Sequence, residues 1–324
     1  MQAADKLAQV VTTALRSPRL AWLFDPELLL EIFVAANLAV LAGDIALAHS
    51  TNGFRNPAEY IPLYFSADAP LLLLVGMLAK GRWRSQEAWR DMGLLVGCLS
   101  VLVGLVGVVY HLESSFFAER TLRSITYAAP FAAPLAYAGL GFLLLMNRMV
   151  PSRAENGPNP EWARWVILLA TGGFFGNFVL SLTDHATNGF FLKTEWIPVI
   201  SSALATGFLI VPVLMRVTRR YLDLCLAVLG VQALVGIVGF ALHLRMNLYA
   251  PGVSFFERSV YGAPPMAPLL FPNLVALAML GLWQLAAQLP EGSSERLGVF
   301  DRLVGWAAAA APQTAPQLSG SDAR

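Results

Sequence analysis

Charge is what this chain has least of. Only 13% of its 324 residues are Asp, Glu, Lys or Arg, against roughly 25% in soluble domains. Hydrophobic residues make up 56%, and so few charges cannot solvate the surface of a water-soluble globule of this length. The composition places the chain in a lipid bilayer, as an integral membrane protein. A formal net charge of +1 provides no basic face for nucleic acid. Cysteine is nearly absent. Cys98 and Cys225 both lie within apolar runs, which argues against a disulfide framework or a cysteine metal site. Glycine-rich phosphate loops, Ser-His-Asp and Cys-His signatures and repeated His-x-x-His pairs are missing as well. The first residues, with Asp5 and Lys6 ahead of a mixed stretch, lack the pattern of a cleaved signal, so the first span is expected to direct insertion.

What is present is a series of apolar segments of about 20 residues, the length a helix needs to cross roughly 30 Å of hydrocarbon. They lie near 27–48, 60–80, 92–112, 126–147, 163–184, 196–216, 222–243 and 265–288. Of the 22 Lys and Arg residues, six (Arg55, Arg120, Arg123, Lys193, Arg245 and Arg258) fall at one end of these spans and the other sixteen at the opposite end. The positive-inside rule then puts both termini in the cytoplasm, and the bacterial inner (plasma) membrane is the expected location. All four histidines fall on the extracytoplasmic side.

The chain also repeats itself. His49-Ser-Thr-Asn-Gly-Phe-Arg-Asn-Pro-Ala-Glu59-Tyr-Ile-Pro recurs as His185-Ala-Thr-Asn-Gly-Phe-Phe-Leu-Lys-Thr-Glu195-Trp-Ile-Pro at a constant offset, the mark of internal duplication. Gly104-x-x-Gly107-x-x-x-His111 is matched by Gly236-x-x-Gly239-x-x-x-His243, and Tyr127-Ala-Ala-Pro130 by Tyr261-Gly-Ala-Pro264. The expected fold is all-α, with eight transmembrane helices in two tandem four-helix repeats related by a pseudo-two-fold axis along the membrane normal. Its parts are an amphipathic cytoplasmic segment (1–20), repeat A (21–150), a breaker-rich linker (151–162), repeat B (163–289) and a cytoplasmic tail (290–324) with a short amphipathic piece around Leu297 to Trp306.

In an up-and-down four-helix unit, spans one and three are diagonal neighbours, so His49 faces His111 and His185 faces His243. Two imidazoles approaching from diagonal helices match the axial ligation of a b-type haem. Gly104, Gly107, Gly236 and Gly239 put a strip without side chains on each second histidine's helical face. That strip suits close helix packing or room for a macrocycle. Arg120, Arg123 and Arg258 lie on the same side and are candidates to pair with propionates. Glu59 and Glu195 are either partners orienting an imidazole or direct ligands. Direct ligation would favour bare iron, copper, manganese or zinc over haem. Asp44 and Asp68 lie within spans where the second copy has Leu180 and Leu204, and together with the two glutamates they are the catalytic candidates.

Eight spans in two tandem four-helix units, each with one extracytoplasmic histidine pair about sixty residues apart, resemble the architecture of the heme A synthase family. That resemblance implies axial roles for the four histidines, with one half binding a b-type haem and the other handling the haem being modified. The chain departs from the family in lacking its extracytoplasmic cysteine pair and the glutamate just ahead of the first histidine. Its histidines also end odd spans, whereas the family's begin even ones. The expected function is haem-dependent membrane electron transfer or an oxidoreductase step, exchanging electrons with a quinone or an extracytoplasmic redox partner. The alternatives are a non-haem metal-binding or transport protein, and a structural subunit packed among other membrane subunits.

Overall fold

A computed structural model describes residues 25–289 except 83–84, 114–115, 128, 156 and 253. The amphipathic segment at 1–20, the piece around Leu297 to Trp306 and the tail at 290–324 therefore lie outside the described residues.

The regular structure of the described residues is helical apart from one hairpin of two two-residue strands, Arg153–Ala154 against Gly157–Pro158. Its main helices are α1 (Pro26–Ser50), α2 (Tyr60–Arg82), α3 (Gln86–Glu113), α4 (Leu135–Met149), α5 (Pro160–Thr187), α6 (Trp196–Leu214), α7 (Arg219–Tyr249) and α8 (Leu270–Ala286). Local chemistry sets their starts. Asp25 caps α1 by accepting from Glu27 N at 3.1 Å and Leu28 N at 3.2 Å, with Pro26 in the first turn. Asn159 caps α5 by accepting from Glu161 N at 3.0 Å, followed by Pro160. Both use the preferred cap-then-proline pattern.

Seven helical segments are long and apolar enough to span a bilayer: Pro26–Ser50, Pro57–Gly81, Gln86–Glu113, Pro160–Thr187, Lys193–Leu214, Arg219–Tyr249 and Ala267–Ala286. The fourth predicted span is the exception. Residues 126–147 do not form one helix, because the stretch containing Pro130 and Pro134 is irregular and α4 begins only at Leu135. At 15 residues, α4 extends about 22 Å, less than the hydrocarbon thickness of roughly 30 Å. Span seven, in contrast, overshoots its expected end and runs to Tyr249, so His243 is not a helix terminus.

Within residues 26–149, α1 packs on α2 and α4, and α3 also packs on α2 and α4. Within 160–286, α5 and α7 each pack on α6 and α8 in the same cyclic order. The two sets meet through α4 on α5 and α8 on α1. The core lies at that junction, where Leu30, Val34 and Leu38 of α1, Trp162, Val166 and Phe174 of α5 and Leu282 of α8 are buried. Asn37 and Asn273 exchange amide hydrogen bonds across it at 3.1 and 2.5 Å. The outer faces of α2, α3, α6 and α7 expose large apolar side chains such as Leu71, Leu105, Ile200 and Leu234. Such faces belong in lipid.

One buried charged cluster joins α1, α3 and α4. Arg148 Nη2 donates to Glu31 Oε1 at 2.7 Å, both side chains being fully buried. The Trp89 indole N–H donates to the other Glu31 oxygen, and the Arg148 guanidinium lies 3.6 Å over the indole ring. Gly93 leaves the space that the guanidinium fills.

Candidate functional site: two histidine clamps

The repeated Thr-Asn-Gly-Phe turn does more than end a helix. Gly53 and Gly189 take left-handed φ values of +67° and +70°, as helix-terminating glycines do. The following phenylalanines are left-handed too, Phe54 at +53° and Phe190 at +51°. An aromatic residue there is strained by roughly 1–3 kcal/mol, and such strain persists only where surrounding contacts fix it. Here the contacts are visible. Phe54 N donates to His49 O at 3.2 Å, and Phe190 N to His185 O at 3.1 Å. The Phe54 ring lies 5.8 Å from that of His49 and stacks on Tyr60 at 4.8 Å. Phe190 lies 6.1 Å from His185 and stacks on Trp196 at 4.1 Å.

A single 3₁₀ turn, Pro57–Glu59 or Lys193–Glu195, then returns a glutamate to the histidine. His49 Nδ1 stands 3.3 Å from Glu59 Oε2, and His185 Nδ1 3.8 Å from Glu195 Oε2. Each Oε2 is buried without a regular hydrogen bond, so the imidazole is the group placed to answer its charge. Glu59 Oε1 is held by Asn52 Nδ2 at 3.0 Å and Asn56 N at 3.4 Å. The glutamates thus face the orienting nitrogen of each histidine, the position of a supporting carboxylate rather than of a direct ligand.

The second histidine of each pair is oriented by a carbonyl. His111 Nδ1 donates to Pro130 O at 3.0 Å, and His243 Nδ1 to Pro264 O at 2.8 Å. A carbonyl only accepts, so in the neutral ring Nδ1 carries the hydrogen and Nε2 the lone pair that ligates.

The four glycines explain how those carbonyls arrive, and this corrects the macrocycle reading. A Cβ on Gly104 would stand 2.6 Å from Ala138 N, and one on Gly107 2.8 Å from Pro134 Cβ. Gly236 and Gly239 meet Pro268 in the same way, at 2.7 Å from its carbonyl oxygen and 3.0 Å from its Cβ. The side-chain-free strips are filled by the proline-rich approaches to α4 and α8. Their role is close packing that brings Pro130 and Pro264 to the histidines.

The His49 and His111 rings meet at 6.2 Å between centroids, inclined at 74°. Two imidazoles binding one ion from opposite sides through bonds of roughly 2 Å have centroids about 6 Å apart. Their helices α1 and α3 lie diagonally across the unit, each packed on α2 and α4. In the second set, Glu195 and His243 both lie close enough to His185 to act on it electrostatically.

Other candidates separate from the site. Arg258 is engaged elsewhere: its guanidinium donates to the carbonyls of Leu248, Ala250 and Ser254 at 2.8, 3.2 and 3.2 Å, closing the end of α7. That geometry replaces its expected role toward propionates. Arg120, at φ +53°, and Arg123 are both exposed. Asp44 is half-buried and acts electrostatically on Tyr137. The Tyr137 hydroxyl bonds to Ser66 Oγ and donates to Pro62 O at 3.1 Å. Asp68 is exposed on α2 and shares nothing with the histidines. Asp184 is half-buried and adjacent to His185, one helical turn beyond Leu180, the position that matches Asp44.

Among the described residues, no group of three or more His, Cys, Asp and Glu side chains converges as a metal site. Comparison with protein-family models, with characterised proteins and with solved structures finds no match to this chain.

Proposed function

We propose that this chain is a duplicated membrane protein of eight helices that binds b-type haem through histidine pairs, His49 with His111 and His185 with His243. Its role is electron transfer or an oxidoreductase step at the extracytoplasmic face. The observation that carries the reading is the 6.2 Å approach of His49 to His111, with both Nδ1 atoms committed to an orienting acceptor. Two histidines without a third side-chain ligand suit haem, whose macrocycle supplies the remaining nitrogens, better than a bare ion, which takes three or four protein ligands.

Haem supplies one-electron exchange when bound. The chain's own residues do the rest. Glu59 and Glu195 hold a proton at Nδ1 of the first histidines and raise the basicity of Nε2. The Pro130 and Pro264 carbonyls do the same, more weakly, for the second. Phe54 and Phe190 shield the outer edge of the first histidines from water. The same cyclic packing order within residues 26–149 and within 160–286 supports two tandem repeats about a pseudo-two-fold axis, with α4 as a short eighth helix. The excess of basic residues at the opposite end supports cytoplasmic termini in a bacterial inner membrane. The layout shared with the heme A synthase family fits the same reading. A quinone or an extracytoplasmic redox protein is the expected exchange partner.

The test is the absorption spectrum of protein purified from a haem-replete host. A pyridine haemochrome of b type, with each of His111→Ala and His243→Ala losing part of it, is the expected result. Stoichiometric iron, copper, manganese or zinc without haem would transfer the site to the bare-metal reading.

A further inference from the structure

Beyond the second clamp, α7 continues past His243 to Tyr249. Asn247, one turn after the histidine on the same helical face, is fully buried. Its amide is spent on a single residue of the chain that returns toward α8. Nδ2 donates to Ala263 O at 2.8 Å, and Oδ1 accepts from Ala263 N at 3.0 Å. Turning the amide over would set donor against donor and acceptor against acceptor, so its orientation is fixed by its own chemistry. The next residue is Pro264, whose carbonyl accepts from His243 Nδ1 at 2.8 Å. His243 and Asn247 therefore grip two consecutive residues from one face of one helix.

Gly262 completes the grip. A Cβ there would stand 2.3 Å from Asn247 Oδ1 and 2.3 Å from Arg258 O, so the amide reaches Ala263 because residue 262 has no side chain. Counted from His111 and Tyr127, the first half has Ser115 and Ala128 at the matching places. The asparagine and the glycine that admits it belong to the second half alone.

We propose that Asn247 is a positioning residue for the second clamp, holding Ala263 so that the Pro264 carbonyl stays against His243 Nδ1. This role rests on the haem reading of the site. Proline has no N–H through which its own backbone could be tied, so the anchor falls on the residue before it. A carbonyl kept against the imidazole N–H raises the basicity of Nε2, the nitrogen that ligates. Stronger donation favours ferric over ferrous iron, because the ferric ion carries the larger positive charge. Releasing the carbonyl therefore weakens the ligand and favours the reduced haem.

The experiment is a potentiometric titration with electron paramagnetic resonance of the full-length holoprotein in two backgrounds. His111→Ala keeps the second haem, and His243→Ala keeps the first. In the His111→Ala background, Asn247→Leu, which keeps the volume and removes both hydrogen bonds, should move the midpoint potential to more positive values. It should also shift the low-spin g values and weaken haem retention by about 10-fold. Gly262→Ala, which displaces the amide from the opposite side, should act in the same direction, and it carries the test if Asn247→Leu fails to fold. In the His243→Ala background neither change should move the potential or the g values of the first haem. An unchanged second haem, or equal shifts in both backgrounds as a general loosening would produce, would overturn the proposal. Unmodified protein without haem would overturn the haem reading and this role with it, a result seen before any change at Asn247.

Discussion

The two histidine clamps share their outer parts and differ in what lies beneath. In both, a glycine and a strained phenylalanine turn the chain, a glutamate faces one imidazole and a proline carbonyl orients the other. Below the first clamp lie Asp44, the buried Tyr137 hydroxyl and Ser66. At the matching places in the second are Leu180, Phe271 and Ser202, whose hydroxyl donates to Pro198 O within its own helix. Further from the clamps, the Glu31, Arg148 and Trp89 cluster is matched by Ile167, Leu282 and Tyr221. The rim has the same form in both sets of helices, while Asp44, Tyr137, Glu31 and Arg148 of the first stand where the second has Leu180, Phe271, Ile167 and Leu282.

The largest test of the comparison removes one ligand at a time. His111→Ala should abolish haem at the first pair and His243→Ala at the second, each leaving the other spectrum intact. Loss of both signals from either change would show that the pairs do not act as separate sites. Next comes the buried ion pair. Arg148→Leu strands the Glu31 carboxylate and should destabilise the protein by about 3–5 kcal/mol in thermal unfolding. Adding Glu31→Ile, which copies the second half, should recover most of that loss.

Third, Glu59→Gln should weaken haem retention at the first site by about 10–100-fold. Glu195→Gln should have a smaller effect at the second, since its carboxylate stands at 3.8 Å instead of 3.3 Å. Equal effects would show that the two carboxylates do the same work despite that difference. The smallest effect is expected of Phe54→Gly. It relieves left-handed strain of roughly 1–3 kcal/mol, so stability should hold or rise slightly, while the first haem's spectrum broadens as His49 loses its aromatic wall.

Much of this was legible from residue spacing. The apolar runs located seven of the eight expected spans, and the diagonal placement of His49 and His111 follows from an up-and-down order. What the spacing could not convey was direction. Asp68 and Asp44 look alike as carboxylates within spans, yet one faces outward and the other lies near Tyr137. The glycine strips looked vacant because a one-dimensional pattern does not show that Pro134 and Pro268 fill them. Arg258 looked available for a ligand until the end of α7 supplied three carbonyls for it. Glu31 and Arg148 stand 117 residues apart, and nothing local marks them as a pair.

If each clamp holds one b-type haem, as proposed, haem stoichiometry per chain is the decisive measurement. Close to two pyridine haemochrome equivalents per chain are expected in the unmodified protein, falling to one in His111→Ala and to none when His243→Ala is added. A colourless protein from a haem-replete host, or haem content unchanged in the double variant, would contradict it.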